Sequence, residues 1–442
     1  MNLRNVSVFI TTLVATTSFS ANSNVYDDPK EQSVRFVQVE AKDRASRNSI
    51  TKFGLNIEAV RSDSVWGFIH QKSLSRLQQA GHRVLSDLDP AILLRSQISA
   101  YDFPPEDSRF NNFNELTDKL KELVTANSDL AKMHSIGKTV EQRDIWALQI
   151  NSSPEALSSE ASNKPGILFI GNHHAREHLT AEVPLLLAQF LLENRNDQQI
   201  KSLIETRDIW IIPMLNPDGA EWDIEIGKYR WWRKNRSQND DKSRGVDLNR
   251  NYGFMWGLDG ADPEPYSEVY HGPAPFSEPE TKAVKEFVEA KPNLNVLLSF
   301  HSYSELILYP WGYSENEVDN EKDRQAFKKI AKTMSGWNNY TPMQASALYT
   351  VSGETGDWAY GQHGIFAFTF ELSPADGWGG GGFYPGQKAI DTTFAANLKP
   401  CLYLLDLADN PHRAIEETPT GFLPNYIEPK IPPQLLWQIH PY

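Results

Sequence analysis

The chain has 442 residues, of which 40% are hydrophobic, which is the composition of a folded globular protein with room for more than one domain. Its 57 acidic and 43 basic side chains give a formal net charge of −14, and no basic segment interleaves with aromatic residues, so nucleic-acid binding is disfavoured. The single cysteine, Cys401, excludes an internal disulfide framework and thiolate metal clusters, so that a metal site must use His, Asp and Glu.

The N-terminus has the pattern of a secretory signal peptide. Arg4 precedes an apolar stretch over about 6–14, and the small residues that follow suit cleavage near Ser20 or Ala21. The apolar stretch is too short to cross a membrane, and the sequence contains no later candidate span. We therefore predict a signal peptide over 1–21 and a secreted or periplasmic protein.

Residues 22–85 are predicted to form a small α+β domain. VRFVQVE and SVWGFIH alternate apolar and polar residues as strands do, while Leu74 and Leu77 share a helical face that ends at Gly81. Residues 86–107 follow as a linker, because prolines and charges dominate DLDP and YDFPPEDSRF.

Strands and helices alternate over 108–410, which predicts an α/β domain with a mixed, mostly parallel sheet and helices on both faces. Several strand candidates are continuous apolar runs, as expected of strands buried on both faces. They are IWALQI (145–150), GILFIG (166–171), IWIIPML (209–215), NVLLSF (295–300) and GIFAFTFEL (364–372). The proline-rich residues 411–442 are predicted to form an extended tail.

Polar residues come at the ends of four of these strands. A His/Glu cluster follows the second strand, NPDG follows the third, His301 follows the fourth, and Glu371 lies near the end of the fifth. Ligands of open α/β sheets bind beyond the carboxyl ends of the strands. We therefore expect these residues to meet at one rim of the sheet.

The cluster GNHHAREHLTAEVP (171–184) has two interpretations. As H-x-x-E, it makes His174 and Glu177 metal ligands; as H-x-x-E-H, it adds His178 as a ligand and makes Glu177 the catalytic base. A catalytic Zn²⁺ needs three protein ligands and one open position, and His301 is the best third candidate for the first interpretation. A lone histidine at a strand end is more often an ordinary core or rim residue. Because His301 is expected at the same rim as the His/Glu cluster, we predict that it is a ligand.

Pro184 favours the first interpretation. A helix that already ran through residue 174 would place Pro184 deep in its interior, at a cost of about 3 kcal/mol. A helix capped by Thr180 and beginning at Ala181 would place the proline in the first turn, where its missing N–H has no intrahelical partner. His178 is then not a ligand.

Three further features suit hydrolysis beside a metal. Glu371 would lie among apolar residues, where a glutamate can take a proton from water and pass it on. The segments YRWWRKNRS (229–237) and GVDLNRNYG (245–253) carry arginines that can bind a carboxylate or stabilise an oxyanion. Taken alone, each segment is more often part of a surface salt bridge.

Six motifs together resemble one family. HAREH, YRWWRK, GVDLNRNYG, SFHSYSELILYPWGY, LYTVSGETGDW and FTFELSP occur in the order seen in zinc carboxypeptidases of the carboxypeptidase A/B type, over about residues 108–405. The resemblance implies a mixed eight-stranded twisted sheet sandwiched by helices and one Zn²⁺ per catalytic domain. It also suggests that the small N-terminal domain is a propeptide removed by cleavage in 86–107; a permanent accessory domain is the alternative.

The resemblance also implies the roles of individual residues. The zinc ligands are His174, Glu177 and His301; Glu371 is the general base that activates a zinc-bound water; and Arg233 stabilises the oxyanion. Substrate binding involves Asn249, Arg250 and Tyr349, which clamp the terminal carboxylate, together with Arg176 and Tyr303.

Gly356 lies where the family sets the polarity of the pocket for the C-terminal side chain, and Glu354 could add a negative charge there. These two residues favour an enzyme that accepts apolar and also basic C-terminal residues. From the resemblance as a whole, we expect a monomeric exopeptidase that acts on peptides with a free C-terminus. Three alternatives stay open at this stage: an H-x-x-E-H endopeptidase, a cell-wall peptide or amide hydrolase on the same scaffold, and a non-catalytic peptide- or zinc-binding module.

Overall fold

The computed structural model describes residues 34–90, 102–159, 162–375 and 382–416. The predicted signal peptide, part of the predicted linker and most of the predicted tail lie outside the described residues. None of the helices within these ranges is both long and apolar enough to span a membrane.

The N-terminal domain is an antiparallel sheet covered on one face by two helices. Its elements are β1 (Val34–Glu40), α1 (Arg44–Thr51), β2 (Asn56–Val60), β3 (Ser64–His70), α2 (Gln71–Gln79) and β4 (Val84–Leu88). The strand order is β2-β3-β1-β4. Alternate residues of β1, such as Val37 and Val39, form one core with Ile50 of α1 and Leu74 and Leu77 of α2. The predicted small α+β domain is confirmed.

The second domain contains an eight-stranded sheet with helices on both faces. Its elements are α3 (Phe113–Ala126), β5 (Ala131–Lys138), β6 (Asp144–Ile150), α4 (Pro154–Ser159), β7 (Gly166–Ile170), α5 (Leu179–Glu193), α6 (Gln198–Thr206), β8 (Asp208–Ile212), α7 (Pro217–Ile224), α8 (Pro279–Glu289), β9 (Leu294–Ser302), β10 (Leu306–Tyr309), α9 (Glu321–Asn338), β11 (Thr341–Gln344), α10 (Thr355–His363), β12 (Phe366–Leu372) and α11 (Lys388–Leu407).

The sheet has the order β11-β10-β12-β9-β7-β8-β6-β5. Its four central strands, β12, β9, β7 and β8, run parallel, while β10, β6 and β5 join by antiparallel pairing. Successive residues of β7 enter opposite cores: Ile167 and Phe169 pack on one face, and Leu168 and Ile170 on the other. This two-sided burial explains the continuous apolar runs, and the predicted mixed, mostly parallel sheet is confirmed.

The predicted start of α5 is wrong. The helix begins at Leu179, not at Ala181, and Pro184 lies inside it. Thr180 does not cap the helix, because its Oγ1 accepts a hydrogen bond from the backbone N–H of Asn172 and donates to the carbonyl of Glu177. Because proline has no N–H, Pro184 cannot donate the usual helical hydrogen bond to the carbonyl of Thr180. That carbonyl faces Gly171, where an added Cβ atom would lie 2.1 Å from its oxygen.

The chain beyond residue 410 packs on the second domain as far as it is described. Pro411–Ile415 form a 3-10 turn in which Pro411 and Ala414 are buried. Cys401, on α11, is also buried, in the hydrophobic core of this domain.

Candidate active site

The ends of β7, β9 and β12 meet at one rim of the sheet, as the polar residues in the sequence predicted. Glu371 of β12 is the register partner of His301 of β9. A cavity of about 370 Å³ opens there, and His174, Glu177, His301 and Glu371 all line it.

His174, Glu177 and His301 offer three ligand atoms to one point. His174 Nδ1 lies 2.8 Å from Glu177 Oε1, His301 Nδ1 lies 3.2 Å from Glu177 Oε2, and the two Nδ1 atoms are 3.1 Å apart. Ligands held at about 2.0–2.2 Å by one tetrahedral ion are themselves about 3.3 Å apart, so these separations fit Zn²⁺. Among the residues that the structure describes, these three side chains are the one group of His, Cys, Asp or Glu that could hold a metal ion.

The charge states of these residues also suit a metal. Although burial acts to raise it, the two histidines hold the pKa of Glu177 well below its usual range. Burial lowers the pKa of His301, which favours the neutral imidazole that a metal needs. His178 lies elsewhere, with its Nε2 atom 2.8 Å from Asp223 Oδ2, so the H-x-x-E-H interpretation is wrong.

Asp247 orients the zinc ligand His174 by contacting the ring nitrogen that faces away from the metal position. Its Oδ1 lies 3.1 Å from His174 Nε2, which leaves the Nδ1 atom of this ring to face the metal position. Its Oδ2 accepts from Arg233 Nε at 3.0 Å, and Arg233 Nη2 lies 2.9 Å from the same oxygen. Burial acts to raise the pKa of Asp247, but Arg233 and His174 hold it well below its usual range.

Three polar side chains predicted to bind substrate line the same cavity: Asn249, Arg250 and Tyr349. Asn249 Oδ1 accepts from the backbone N–H of Thr355 at 2.9 Å. The guanidinium of Arg250 donates to the carbonyls of Gly260 and Asn249 at 2.9 and 2.7 Å. These contacts hold both side chains in fixed orientations at the cavity wall.

Burial, together with the nearby carboxylates Glu177 and Glu58, raises the pKa of Glu371 well above its usual range. Tyr349 is half-buried, and burial raises the pKa of its hydroxyl to about 12, so that this group is a neutral donor. Tyr303 also lines the cavity.

Arg176 does not line the cavity. Its guanidinium is fully buried between the rings of Phe68 and Phe383, at 4.3 and 4.5 Å. It forms ion pairs with Glu58 at 3.0 Å and with Glu268 at 3.1 Å. Phe68 and Glu58 belong to the N-terminal domain, which therefore covers this predicted substrate-binding residue.

The two predicted specificity residues lie in different places. Glu354 lines the cavity, as do the apolar side chains of Leu308, Met343 and Val351. Gly356 lies behind Glu354, since a Cβ atom added to it would meet Glu354 Oε1 at 3.7 Å.

Two histidines and a glutamate that face a cleft at the rim of an α/β sheet have the composition of a catalytic zinc site. Residues 116–399 match the family model described as zinc carboxypeptidase. The chain is 32% identical to a zinc carboxypeptidase of Saccharothrix mutabilis subsp. capreolus over 399 residues, covering 86% of this chain and 90% of that protein. It is 34% identical to carboxypeptidase A1 of Homo sapiens over 270 residues, covering 60% of this chain and 62% of that protein.

The fold resembles the crystal structure of carboxypeptidase A from Helicoverpa armigera, with a TM-score of 0.67 and 22% identity over 86% of this chain and 98% of that chain. The protein belongs to the zinc carboxypeptidase family. It is a zinc-dependent exopeptidase whose substrates are peptides with a free C-terminus, and His174, Glu177 and His301 form its zinc site.

Sequence reasoning missed several residues that the structure places at or behind the site. The sequence carries a signal for Asp247, because it is an acidic residue between the apolar Val246 and Leu248 in the motif GVDLNRNYG. Asp357 has the same signal, because it is an acidic residue in the motif LYTVSGETGDW, whereas Glu58 has none, because its importance depends on a contact with Arg176, which is distant in sequence.

Proposed function

We propose that Glu371 is the general base of this carboxypeptidase, that Arg233 stabilises the oxyanion, and that Asn249, Arg250 and Tyr349 hold the terminal carboxylate of the substrate. The observation that carries this proposal is the position of Glu371, beside His301 in the sheet and on the wall of the cavity that contains the zinc site.

A zinc ion bound at this site supplies a Lewis acid that polarises the scissile carbonyl and acidifies water. Glu371 then takes the proton of the attacking water and returns it to the leaving amine. Arg233 is anchored on one edge by Asp247, and its Nη1 lies 3.8 Å from Glu177 Oε1. Its permanent positive charge therefore lies close to the carbonyl that becomes negative.

The fixed orientation of Arg250 and the neutral hydroxyl of Tyr349 support the carboxylate clamp. A guanidinium binds a carboxylate with parallel hydrogen bonds, and a phenol adds a third. A substrate without a free α-carboxylate has no partner for these groups. This favours C-terminal exopeptidase action over hydrolysis of amide-linked side chains in cell-wall peptides.

The enzyme is proposed to accept apolar C-terminal side chains and also basic ones. Leu308, Met343 and Val351 give the cavity an apolar wall, and Glu354 is an acidic group beside them.

The N-terminal domain is proposed to keep the enzyme latent until the linker is cut. Strand β2 lines the cavity. The carbonyl of Ile57 accepts from the Tyr349 hydroxyl at 3.5 Å, and that of Glu58 accepts from Ser304 Oγ at 3.2 Å. Since the Glu58 carboxylate also pairs with Arg176, the domain occupies positions where a substrate would bind. Secretion and a monomeric state stay predictions.

Replacing the proposed base tests this mechanism. In Glu371→Gln we expect zinc content to be unchanged, because Glu371 is not a ligand. We expect release of C-terminal residues to fall by about 10²–10⁴-fold, which is the usual contribution of a general base. Zinc content and kcat/KM should be measured after limited proteolysis, on a peptide with a free C-terminus and on its C-terminal amide.

Glu321→Gln, which changes an exposed glutamate at the start of α9, is the matched control and should behave as wild type. Retained release of C-terminal residues by Glu371→Gln would rule out its role as the base. Hydrolysis of the amide at the rate of the free acid would instead argue against the carboxylate clamp and favour the amide-hydrolase alternative.

A further inference from the structure

Two carboxyl groups share the wall of the cavity near Glu354. Glu354 immediately precedes α10, is 8% exposed and lines the cavity, whereas Asp357 in the first turn of α10 is completely buried. Both oxygens of Asp357 accept from the backbone N–H of Gly312, at 2.9 and 3.0 Å, and one accepts from that of Tyr313 at 2.8 Å.

The side chain of Glu354 does not cap its own helix. It points towards Gly312, where a Cβ atom would lie 2.6 Å from Glu354 Oε1 and 2.9 Å from Val351 Cγ1. Its carboxyl group therefore lies beside that of Asp357, which accepts from the backbone N–H of the same glycine. Two adjacent buried carboxyl groups do not both ionise readily, because their like charges repel, so the pair keeps one proton.

Glu354 carries this proton, because the backbone N–H groups of Gly312 and Tyr313 stabilise the anion of Asp357. Burial, followed by the neighbouring Asp357, raises the pKa of Glu354 well above its usual range. Burial also raises the pKa of Asp357 to about 6, although its hydrogen bonds act in the opposite direction.

Few other charges face the pair. Arg250 is the cation that acts on Glu354, and its guanidinium is already held by the carbonyls of Gly260 and Asn249. On the loop that packs against Asp357, the phenol of Tyr313 is titratable, but burial raises its pKa, so it stays neutral. The pair is therefore the group on this wall that changes charge.

We infer that the Glu354–Asp357 pair makes the preference of the enzyme for the C-terminal side chain depend on pH. With its proton, the pair offers an uncharged wall at Glu354, which favours apolar side chains. Once the pair has lost this proton, the wall carries a second negative charge and favours arginine and lysine. This inference rests on the proposed exopeptidase function and on the proposed pocket. It adds that pH decides whether apolar or basic C-terminal residues are preferred.

The reason is linkage between binding and ionisation. An arginine side chain in the pocket stabilises the ionised pair, so its binding releases a proton, whereas a phenylalanine releases none. The ratio of kcat/KM for a peptide ending in Arg to that for one ending in Phe should therefore rise with pH. Effects of pH on the general base, the metal site and the clamp apply to both substrates and cancel in the ratio.

The test measures this ratio from about pH 5 to about pH 9 with the zinc-loaded full chain, before and after limited proteolysis. For the wild type we expect a rise of up to about tenfold per pH unit, which levels off when the pair is ionised. In Glu354→Gln, which mimics the protonated acid, the ratio should stay low and flat. Asp319→Asn, which removes an exposed carboxylate outside the cavity, is the matched control and should follow the wild type.

A wild-type ratio that does not change with pH would overturn the inference, and so would a rise that persists in Glu354→Gln. If this variant does not fold, product inhibition of the wild type decides: Ki for L-arginine relative to L-phenylalanine should fall as pH rises, and a constant ratio would contradict the inference. Release of neither residue at any pH would contradict the proposed function itself.

Discussion

At the scale of single residues, Glu280 links burial to the pH range of stability. Its side chain is fully buried near the start of α8, where Oε2 accepts from Asn235 Nδ2 at 3.0 Å. Burial raises its pKa from 4.5 to about 8, because a carboxylate loses its hydration there. The folded protein thus binds this proton more tightly than the unfolded chain does. Its stability must fall as the pH rises between these two values and stay reduced above them.

We expect Glu280→Gln to remove this loss, because glutamine resembles the protonated acid. The variant and the wild type should unfold at similar temperatures near pH 4.5, whereas at about pH 9 the variant should have a Tm higher by roughly 3–6 °C. Thermal unfolding followed by circular dichroism at both pH values measures the difference. Glu286→Gln, an exposed position on the same helix, is the control and should show no such divergence. Equal Tm values at high pH would mean that Glu280 ionises without cost.

At the scale of elements, the connection from β7 to α5 positions two zinc ligands, and Gly171 allows it. A Cβ atom at this position would lie 2.1 Å from the carbonyl oxygen of Thr180 and 2.8 Å from that of Pro213. Both contacts are with backbone atoms, which cannot move without displacing the helix or the neighbouring strand end. We therefore expect Gly171→Ala to lower the free energy of unfolding by about 1–3 kcal/mol and to weaken zinc binding.

Gly336→Ala is the matched control for this prediction. Gly336 lies inside α9 with no atom within 4 Å of an added Cβ, so the same substitution should stabilise the protein by about 0.5–1 kcal/mol. Urea unfolding and zinc titration of both variants measure the two effects. If Gly171→Ala were as stable and as tight in zinc binding as the wild type, the close approach would not constrain the site.

The elements also show what the sequence could predict. The buried strands β7 and β8 were predictable because both faces of each must be apolar, and the strand-end rule placed His301 beside the cluster that contains His174. The start of α5 was not predictable. The side chain of Thr180 has several local partners, and its choice of Asn172 depends on how the preceding loop folds back.

The shared proton of Glu354 and Asp357 could not be predicted either. The sequence indicated an acidic group near the pocket, but it did not show that Gly312 and Tyr313 would stabilise the anion of Asp357. The same holds for Arg176, whose partner Glu58 belongs to another domain. Local patterns specify periodicity and motifs, whereas these contacts join segments far apart in the chain.

At the scale of the whole molecule, the proposed latency depends on how tightly the N-terminal domain holds the cleft. The uncut wild type should hydrolyse small substrates slowly and gain activity when the 86–107 linker is cut. In Glu58→Gln, the loss of a buried charge pair with Arg176 should weaken the closed state, so the uncut variant should be at least about tenfold more active than the uncut wild type.

Asp87→Asn is the control, because Asp87 pairs with Arg35 within the N-terminal domain and away from the cleft. It should leave the activity of the uncut protein low. Initial rates on a short peptide, with and without limited proteolysis, distinguish these outcomes. If the uncut wild type were as active as the cut protein, the domain would be a permanent accessory domain.

The contact between Glu58 and Arg176 has a consequence for how such a latent enzyme would switch on. While the linker is intact, strand β2 stays tethered to the catalytic domain, and its effective concentration at the cleft is on the order of millimolar. A cut leaves every contact in place and only makes the domain free to dissociate. Activation would then be complete at high dilution and partial in a concentrated solution, where the released domain rebinds. The amount of enzyme present, as well as the cut, would set the level of activity.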